Sequence, residues 1–203
     1  MNVWHDVSAG KNLPEKMNCI IEVPTGSNNK YEIDKETGLL MMDRVLNSVI
    51  CYPTNYGLVP RTLAKDGDPL DVLLLSTNAI LPMTLVEVRP LGMLIMIDQG
   101  DEDQKVIAVP CGDPRFAEYR TLDDVPVATL AEIEDFFRTY KYLEKPEADL
   151  LKLADKKVEG APEPVNYAVK GTKKVEVVGY VGLEETKKLI LETCEDYAKK
   201  FGA

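Results

Sequence analysis

The stretch Asp66-Gly67-Asp68-Pro69-Leu70-Asp71 is followed at once by the apolar run Val72-Leu73-Leu74-Leu75. Glycine and proline are typical of a tight turn, and the apolar run predicts a buried strand, so three carboxylates would lie on a loop anchored to a rigid element. Carboxylates held together in low dielectric repel one another unless cations such as Mg²⁺ or Ca²⁺ neutralise them. The stretch therefore indicates either a metal site or a solvated turn, and for such a triplet alone the turn is the more common structure.

A second acidic turn follows another apolar segment. Residues 91–97 are apolar apart from one glycine, and they are followed by Asp98, Asp101, Glu102 and Asp103, with Lys105 close behind. A charge run alone is usually a solvated turn. Two strand-linked acidic turns in one small domain can instead converge into a multi-metal site that binds phosphate oxygens through the cations.

The composition is that of a compact acidic protein. A chain of 203 residues with 45% hydrophobic residues is long enough for one domain with a sizeable core. The net charge of −10 argues against a nucleic-acid partner, because phosphate backbones are bound by clustered lysine and arginine. The four cysteines lie far apart, which favours a reducing cytoplasm over a zinc ribbon or a disulfide framework. No apolar stretch approaches about 20 residues, so neither a membrane span nor a membrane partner is expected.

The first two thirds of the chain predict strands and the last third predicts mostly helix. Turn residues separate candidate strands at 19–23, 31–34, 39–43, 71–75, 84–89, 91–98 and 105–109. This spacing favours a small closed or partly closed β-barrel. Helical periodicity predicts helices at 129–144, beginning with a Thr129/Glu132 capping box, and at 183–201. We expect one domain over 1–203, in which the proline- and charge-rich segment 145–171 forms a surface loop or short hairpin.

Side chains suited to binding phosphate lie near the predicted strands and on the first helix. They are Lys30, Arg44, Tyr52, Tyr56, Tyr140 and Lys141. Arginine can hold a phosphate with two hydrogen bonds, lysine acts as a point charge, and a tyrosine hydroxyl donates at a fixed reach. Each also has an ordinary alternative role as a solvated strand edge or a half-buried core tyrosine. Spacing alone does not show which of them meet.

These segments, taken in order, resemble the family I soluble inorganic pyrophosphatases. The matching blocks are Glu22-Val23-Pro24, Lys30-Tyr31-Glu32-Ile33-Asp34, Asp43-Arg44, Tyr52-Pro53-Thr54-Asn55-Tyr56-Gly57, Asp66 to Asp71, the second acidic turn with Asp103 and Lys105, and Tyr140-Lys141. The resemblance covers about residues 18–145. It implies an α+β, mainly β fold: an OB-like five-stranded barrel flanked by helices, with the active site at the mouth of the barrel.

The resemblance also implies Mg²⁺-dependent hydrolysis of pyrophosphate to two orthophosphates, by direct attack of a metal-activated water. Several Mg²⁺ ions are expected, with Mn²⁺ or Zn²⁺ as alternatives. The implied metal ligands are Asp66, Asp71, Asp103, Asp98, Glu32 and Glu22. The implied phosphate-binding groups are Lys30, Arg44, Tyr52, Tyr56, Lys105, Tyr140 and Lys141. Asp68 matches the residue that accepts a proton from the attacking water.

The resemblance also leads to an expectation about the oligomeric state, and two other functions remain as alternatives. The chain is nearer in length to the compact members that form hexamers than to the longer dimeric members, so a homohexamer is favoured over a dimer. The single histidine, His5, lies outside every matching block, and histidine chemistry is not expected. The rivals are a non-catalytic OB-like binding module and a Mg²⁺ phosphohydrolase acting on nucleotides or phosphate esters.

Overall fold

The computed structural model describes residues 1–141, 143–144 and 175–202. Within these ranges the strands are β1 Met17–Val23, β2 Asn29–Ile33, β3 Leu40–Val45, β4 Asn55–Leu58, β5 Asp71–Leu74, β6 Leu85–Asp98, β7 Asp101–Pro110 and β8 Val175–Val181. The α-helices are α1 Val3–Asp6, α2 Val127–Thr139 and α3 Leu183–Phe201, and short 3₁₀ turns lie at Pro114–Phe116 and Leu122–Asp124. None of the helices described is both long enough and apolar enough to cross a membrane.

Five strands close into a ring. Their neighbour order is β1-β4-β5-β7-β6, and a further pairing between β1 and β6 returns to the start. Strands β5 and β7 run parallel, and the other neighbours in the ring are antiparallel. One edge of the long strand β6 is shared, because its first residues pair with β1 and its last residues pair with β8. The predicted mainly β fold with a closed five-stranded sheet is confirmed.

Both faces of this sheet are buried. In β5, Leu73 packs in a cluster with Phe136 of α2, whereas its neighbours Val72 and Leu74 pack in a second cluster with Ile190 of α3. Successive side chains of a strand point to opposite faces, so one helix covers each side of β5. Burial on both faces explains why this segment is continuously apolar rather than alternating.

The hairpin of β2 and β3 forms a small sheet of its own beside the ring. Its register pairs Lys30 with Arg44, so two predicted phosphate-binding cations are neighbours. The turn of the hairpin rests on the N-terminal segment: the Asn2 side chain donates to the Lys35 carbonyl over 2.8 Å. Gly38 has a φ of +70°, and a Cβ at that position would lie 2.7 Å from the Asn2 Cα. Glycine is therefore required there by both conformation and space.

The N-terminal helix packs on the last helix through aromatic side chains. The Trp4 indole donates to the Thr62 carbonyl over 2.9 Å. His5 stacks on Trp4, and its Nδ1 lies 2.6 Å from the Tyr197 hydroxyl of α3. His5 is thus a packing residue remote from the predicted site.

Four strands differ from the sequence prediction. Strand β7 begins at Asp101 instead of 105, so Asp101 to Asp103 lie on a strand rather than in the predicted acidic turn. Segments 84–89 and 91–98 form one strand, β6, whose register shifts between Pro90 and Gly92. The irregularity accommodates proline, which cannot donate to the ladder. Strand β4 was not predicted because Pro53 precedes it and Gly57 lies within it, both of which indicate a turn. Strand β8 lies in the part of the chain predicted to be mostly helical.

The helices are close to their predicted positions. Helix α2 begins at Val127 with Pro126 as its N-cap, so the Thr129/Glu132 capping box is wrong, and it ends at Thr139 instead of 144. Helix α3 spans the predicted range and ends at Gly202, whose φ of +72° is the usual left-handed cap. The surface loop predicted at 145–171 lies outside the described residues.

Candidate active site

A cavity of about 510 Å³ opens between the ring, the β2–β3 hairpin and the end of α2. All fourteen residues implied by the resemblance line it: Glu22, Lys30, Glu32, Arg44, Tyr52, Tyr56, Asp66, Asp68, Asp71, Asp98, Asp103, Lys105, Tyr140 and Lys141. They come from segments separated by as much as 119 positions in the sequence, between Glu22 and Lys141. The fold therefore brings together side chains that spacing alone could not connect.

A buried lysine lies between Asp71, at the start of β5, and Asp103 of β7. Lys105 Nζ is 2.6 Å from Asp71 Oδ2 and 3.0 Å from both carboxylate oxygens of Asp103. The Tyr56 hydroxyl also donates to Asp71. Burial raises the pKa of Asp71. Burial disfavours the charged form of Lys105, but the two carboxylates outweigh it and raise the lysine pKa well above its usual range.

The hairpin wall carries a chain of ion pairs. Lys30 Nζ lies 2.9 Å from Glu32 Oε2 and 2.9 Å from Asp43 Oδ2. Arg44 donates through Nε to the same Asp43 oxygen over 2.9 Å, and through Nη1 to Glu144 Oε1 over 2.6 Å. Burial disfavours the charged form of Asp43, but Lys30 and Arg44 outweigh it and lower its pKa. These contacts hold Lys30 and Arg44, the two predicted phosphate-binding cations of the hairpin, at the cavity wall.

The end of α2 forms another part of the wall, joined to the hairpin through the Arg44–Glu144 ion pair. Lys141 follows the helix and donates to Asp98 Oδ2 at the end of β6. The Tyr140 ring stacks on Phe136, with centroids 5.4 Å apart, and Tyr52 packs against the same phenylalanine at 4.8 Å. Burial raises the pKa of Tyr52 to about 12, so this phenol stays protonated and able to donate.

The loop Asp66 to Asp71 is held by its own backbone and by the hairpin. The Asp68 backbone N–H donates to Asp66 Oδ1 over 3.0 Å. Burial raises the pKa of Asp66. The Asp68 side chain is about half exposed and pairs with Lys35 of the hairpin turn. On the ring side, buried Glu22 accepts from the Ile33 N–H over 2.7 Å, and burial raises its pKa to about 8.

The carboxylates in the cavity are suited to a hard divalent cation, and lysine side chains lie among them. In the described ranges, no group of three or more acidic, histidine or cysteine side chains could hold a metal ion by itself. Ammonium groups instead pair with Asp71, Asp103 and Asp98. Asp98 Oδ1 is buried and has no hydrogen-bond partner among the described residues. A buried carboxylate oxygen without a partner is costly, and oxygen donors are those that Mg²⁺ prefers.

Three further residues at this site were missed from the sequence. Asp43 bridges Lys30 and Arg44, Lys35 pairs with Asp68, and Glu144 pairs with Arg44. Asp43 is part of the matching block Asp43-Arg44, which was a usable signal. Lys35 and Glu144 are separated from their partners by 33 and 100 positions, so no local pattern could reveal them.

A cavity in which carboxylates alternate with lysine, arginine and tyrosine groups is typical of the class of enzymes that act on phosphate compounds together with divalent cations. The chain matches the family described as inorganic pyrophosphatase over residues 19–163. It therefore belongs to the inorganic pyrophosphatase family.

Individual relatives agree with this assignment. The chain is 38% identical to soluble inorganic pyrophosphatase 2 of Chlamydomonas reinhardtii over 198 residues, which cover 98% of this chain and 89% of that protein. It is 46% identical over 144 residues to a soluble inorganic pyrophosphatase of Oryza sativa subsp. indica, covering 71% of this chain and 67% of that protein. Its fold matches the crystal structure of inorganic pyrophosphatase from Thermus thermophilus with a TM-score of 0.80, 36% identity and coverage of 97% and 99% of the two chains.

Proposed function

We propose that this cavity hydrolyses inorganic pyrophosphate to two orthophosphates in a Mg²⁺-dependent reaction, with water attacking phosphorus directly. The observation that carries the proposal is that every residue implied by the resemblance lines one cavity. No covalent intermediate on the protein is needed. Mg²⁺ bound through Glu22, Glu32, Asp66, Asp71, Asp98 and Asp103 would supply positive charge against the phosphate oxygens and make water a stronger nucleophile.

Asp68 is proposed to accept the proton of the attacking water. Its carboxylate lies in the cavity between the proposed ligands Asp66 and Asp71 in sequence, and its backbone N–H is held by Asp66. Its side chain is about half exposed, so water can reach it. A carboxylate that is fixed in position but accessible to water is suited to act as a general base.

The cations of the hairpin and of the end of α2 are proposed to hold the phosphate groups. Arg44 and Lys30 belong to the hairpin, and Lys141 follows α2. An arginine fork and lysine point charges in one cavity stabilise the charge that moves to the leaving phosphate. The Tyr140 hydroxyl adds a donor at a fixed position, and the Tyr56 hydroxyl, which donates to Asp71 here, would turn to phosphate when a cation takes its place on Asp71.

Release of orthophosphate from pyrophosphate tests the proposal. The purified chain is assayed near neutral pH with and without Mg²⁺, beside ATP and a phosphate monoester. Rapid Mg²⁺-dependent release with pyrophosphate strongly preferred is the expected result. A folded, Mg²⁺-loaded protein without hydrolysis would support the binding-module alternative, and a preference for ATP or the monoester would support the other phosphohydrolase.

The metal, the oligomeric state and the location of the protein are also proposed. Carboxylate donors suit Mg²⁺ and also accept Mn²⁺, so we propose Mg²⁺ as the metal, with Mn²⁺ or Zn²⁺ as substitutes. The chain length favours a homohexamer of single-domain subunits over a dimer, and the widely spaced cysteines favour a reducing cytoplasm. The acidic composition argues against a nucleic-acid partner. Light scattering of the purified protein measures the oligomeric state directly, and a dimer mass would contradict the hexamer.

A further inference from the structure

We infer that Glu144 is a positioning residue that fixes the guanidinium of Arg44 for a phosphate group of the substrate. The inference rests on the proposed function. Glu144 lies outside the blocks that carry the family resemblance, and its carboxylate does not have to touch substrate for this role. Its side chain is only 7% exposed, so the charge is held at the cavity wall rather than in bulk water.

Two carboxylates hold the guanidinium from different sides. Asp43 Oδ2 accepts from Arg44 Nε over 2.9 Å and lies 2.9 Å from Nη2, while Glu144 Oε1 accepts from Nη1 over 2.6 Å. A guanidinium has five N–H groups. Among the described residues these contacts take three of the five and leave one N–H on each terminal nitrogen. Two N–H groups of one guanidinium can bind a phosphate with two hydrogen bonds.

Glu144 also links two parts of the fold that no shared sheet connects. Arg44 lies on the hairpin, which is a separate sheet from the ring. The Glu144 N–H donates to the Lys141 carbonyl over 3.0 Å, forming a turn directly after α2. The Lys141 side chain of this turn pairs with Asp98 at the end of β6. This turn therefore contacts Asp98 of the ring through Lys141 and Arg44 of the hairpin through Glu144.

The two carboxylates on Arg44 differ in what their removal would disturb. Asp43 is shared with Lys30, so a substitution there would release two cations at once. Loss of Glu144 would leave Arg44 paired with Asp43 and free to rotate about that contact. Glu144 is therefore the more selective position for a test.

The test compares Glu144→Ala and Glu144→Gln with the wild type and with Glu134→Ala. Glu134 is the control, because it forms an ion pair with Arg138 within α2 and lies outside the cavity lining. Each protein is assayed for kcat and KM on pyrophosphate with saturating Mg²⁺, for thermal unfolding, and for calorimetric binding of methylenediphosphonate. For Glu144→Ala we expect kcat/KM to fall on the order of tenfold, mostly through KM, as is typical for losing a hydrogen bond to a charged group.

Three further readouts distinguish positioning from a structural role. The analogue should bind more weakly by a similar factor, and Glu144→Gln should recover part of the loss because it keeps an acceptor. Glu144→Ala should be less stable than the control, because it removes a buried partner of Arg44, but it should remain folded at the assay temperature. In an Arg44→Ala background, Glu144→Ala should cause no further loss of kcat/KM. An undiminished loss in that background, or full activity of Glu144→Ala, would overturn the inference. A wild type that releases no phosphate would instead refute the proposed function, so the two failures are distinguishable.

Discussion

Asp71 and Lys105 are register partners on the parallel strands β5 and β7, and the Lys105 ammonium donates to Asp71 over 2.6 Å. The ammonium also lies 3.0 Å from Asp103, and the lysine is only 3% exposed. Two carboxylates at this depth would repel each other strongly in a low dielectric. Lys105 therefore neutralises the carboxylates from within the fold, beside the place where they are proposed to bind metal.

Replacement of this cation should destabilise the metal-free protein. Lys105→Met keeps much of the aliphatic stem and leaves the carboxylates without their partner, which typically costs about 3–5 kcal/mol for a buried pair. We expect the free energy of unfolding, measured with urea, to fall by about 3 kcal/mol. Excess Mg²⁺ should restore part of the loss, because a cation that binds only the native state stabilises it.

The exposed lysine Lys65 provides the control for that experiment. Its ammonium is 3.7 Å from Glu102, and its side chain is 69% exposed. Pairs of this kind contribute little, so Lys65→Met should change the free energy of unfolding by about 0.5 kcal/mol or less. Equal losses in the two variants would contradict a special role for Lys105.

Asp68→Asn should separate binding from hydrolysis. The amide has nearly the shape of the carboxylate but cannot accept the proton of the attacking water. We expect kcat to fall by about 10²- to 10⁴-fold, the usual contribution of a general base, while Mg²⁺ binding and the unfolding temperature stay close to those of the wild type. Asp123→Asn removes an exposed carboxylate outside the cavity lining and serves as the control. Near-normal turnover by Asp68→Asn would assign the proton to another group.

Lys35 should matter for activity more than for stability. Its ion pair with Asp68 is half exposed on both sides, so Lys35→Met should cost about 1 kcal/mol of unfolding free energy or less. The same ammonium lines a cavity proposed to take a highly charged anion, and we expect KM for pyrophosphate to rise severalfold. Lys188→Met, which removes an exposed pair with Glu185 on α3, is the matched control. An unchanged KM in the Lys35 variant would show that this lysine does not contribute to binding of pyrophosphate.

The sequence predicted which side chains line the cavity better than it predicted the hydrogen bonds among them. Short motifs indicate carboxylates next to strands, because the turn residues and the buried strand after Asp66 to Asp71 are local signals. The pairing of Arg44 with Glu144 depends on how the end of α2 meets the hairpin, and that geometry exists only in the folded chain. Contacts at this separation in sequence have no periodicity to reveal them.

The strands likewise differ in whether a local sequence signal predicts them. The apolar run of β5 was found because burial on both faces leaves a continuous signal. Strand β4 was missed because Gly57 looks like a turn residue, yet it is required by close approach of another strand. A Cβ at Gly57 would lie 2.1 Å from the Ile20 carbonyl oxygen of β1. Glycine here reports a tertiary contact rather than a local bend.

That close approach gives a prediction about stability. Gly57→Ala would force β1 and β4 apart next to Tyr56, so we expect the free energy of unfolding to fall by at least about 2 kcal/mol, in the range typical of overpacking. Gly112→Ala is the control, since a Cβ there meets nothing within 4 Å. Urea unfolding of the two variants measures the difference. A Gly57 variant as stable as the Gly112 variant would show that the ring tolerates the added methyl group.

Replacing Mg²⁺ by Ca²⁺ tests whether catalysis depends on the exact geometry with which the carboxylates coordinate the metal. Ca²⁺ accepts six to eight oxygens at about 2.3–2.6 Å, whereas Mg²⁺ requires near-octahedral geometry at about 2.0–2.1 Å. The donors in the cavity are carboxylates that either ion accepts, so Ca²⁺ should bind and raise the unfolding temperature of the metal-free protein. Its looser coordination should place water and phosphate less accurately, and small displacements of reacting groups are costly to the rate.

We therefore expect Ca²⁺ as the sole divalent ion to support little release of orthophosphate and to inhibit the Mg²⁺-loaded protein. Excess Mg²⁺ should reverse the inhibition, because both ions compete for the same carboxylates. The assay follows orthophosphate with each ion alone and with mixtures, beside thermal unfolding to show that Ca²⁺ has bound. Full activity with Ca²⁺ alone would mean that these carboxylates only neutralise charge, and that the placement of water depends on the protein's own side chains.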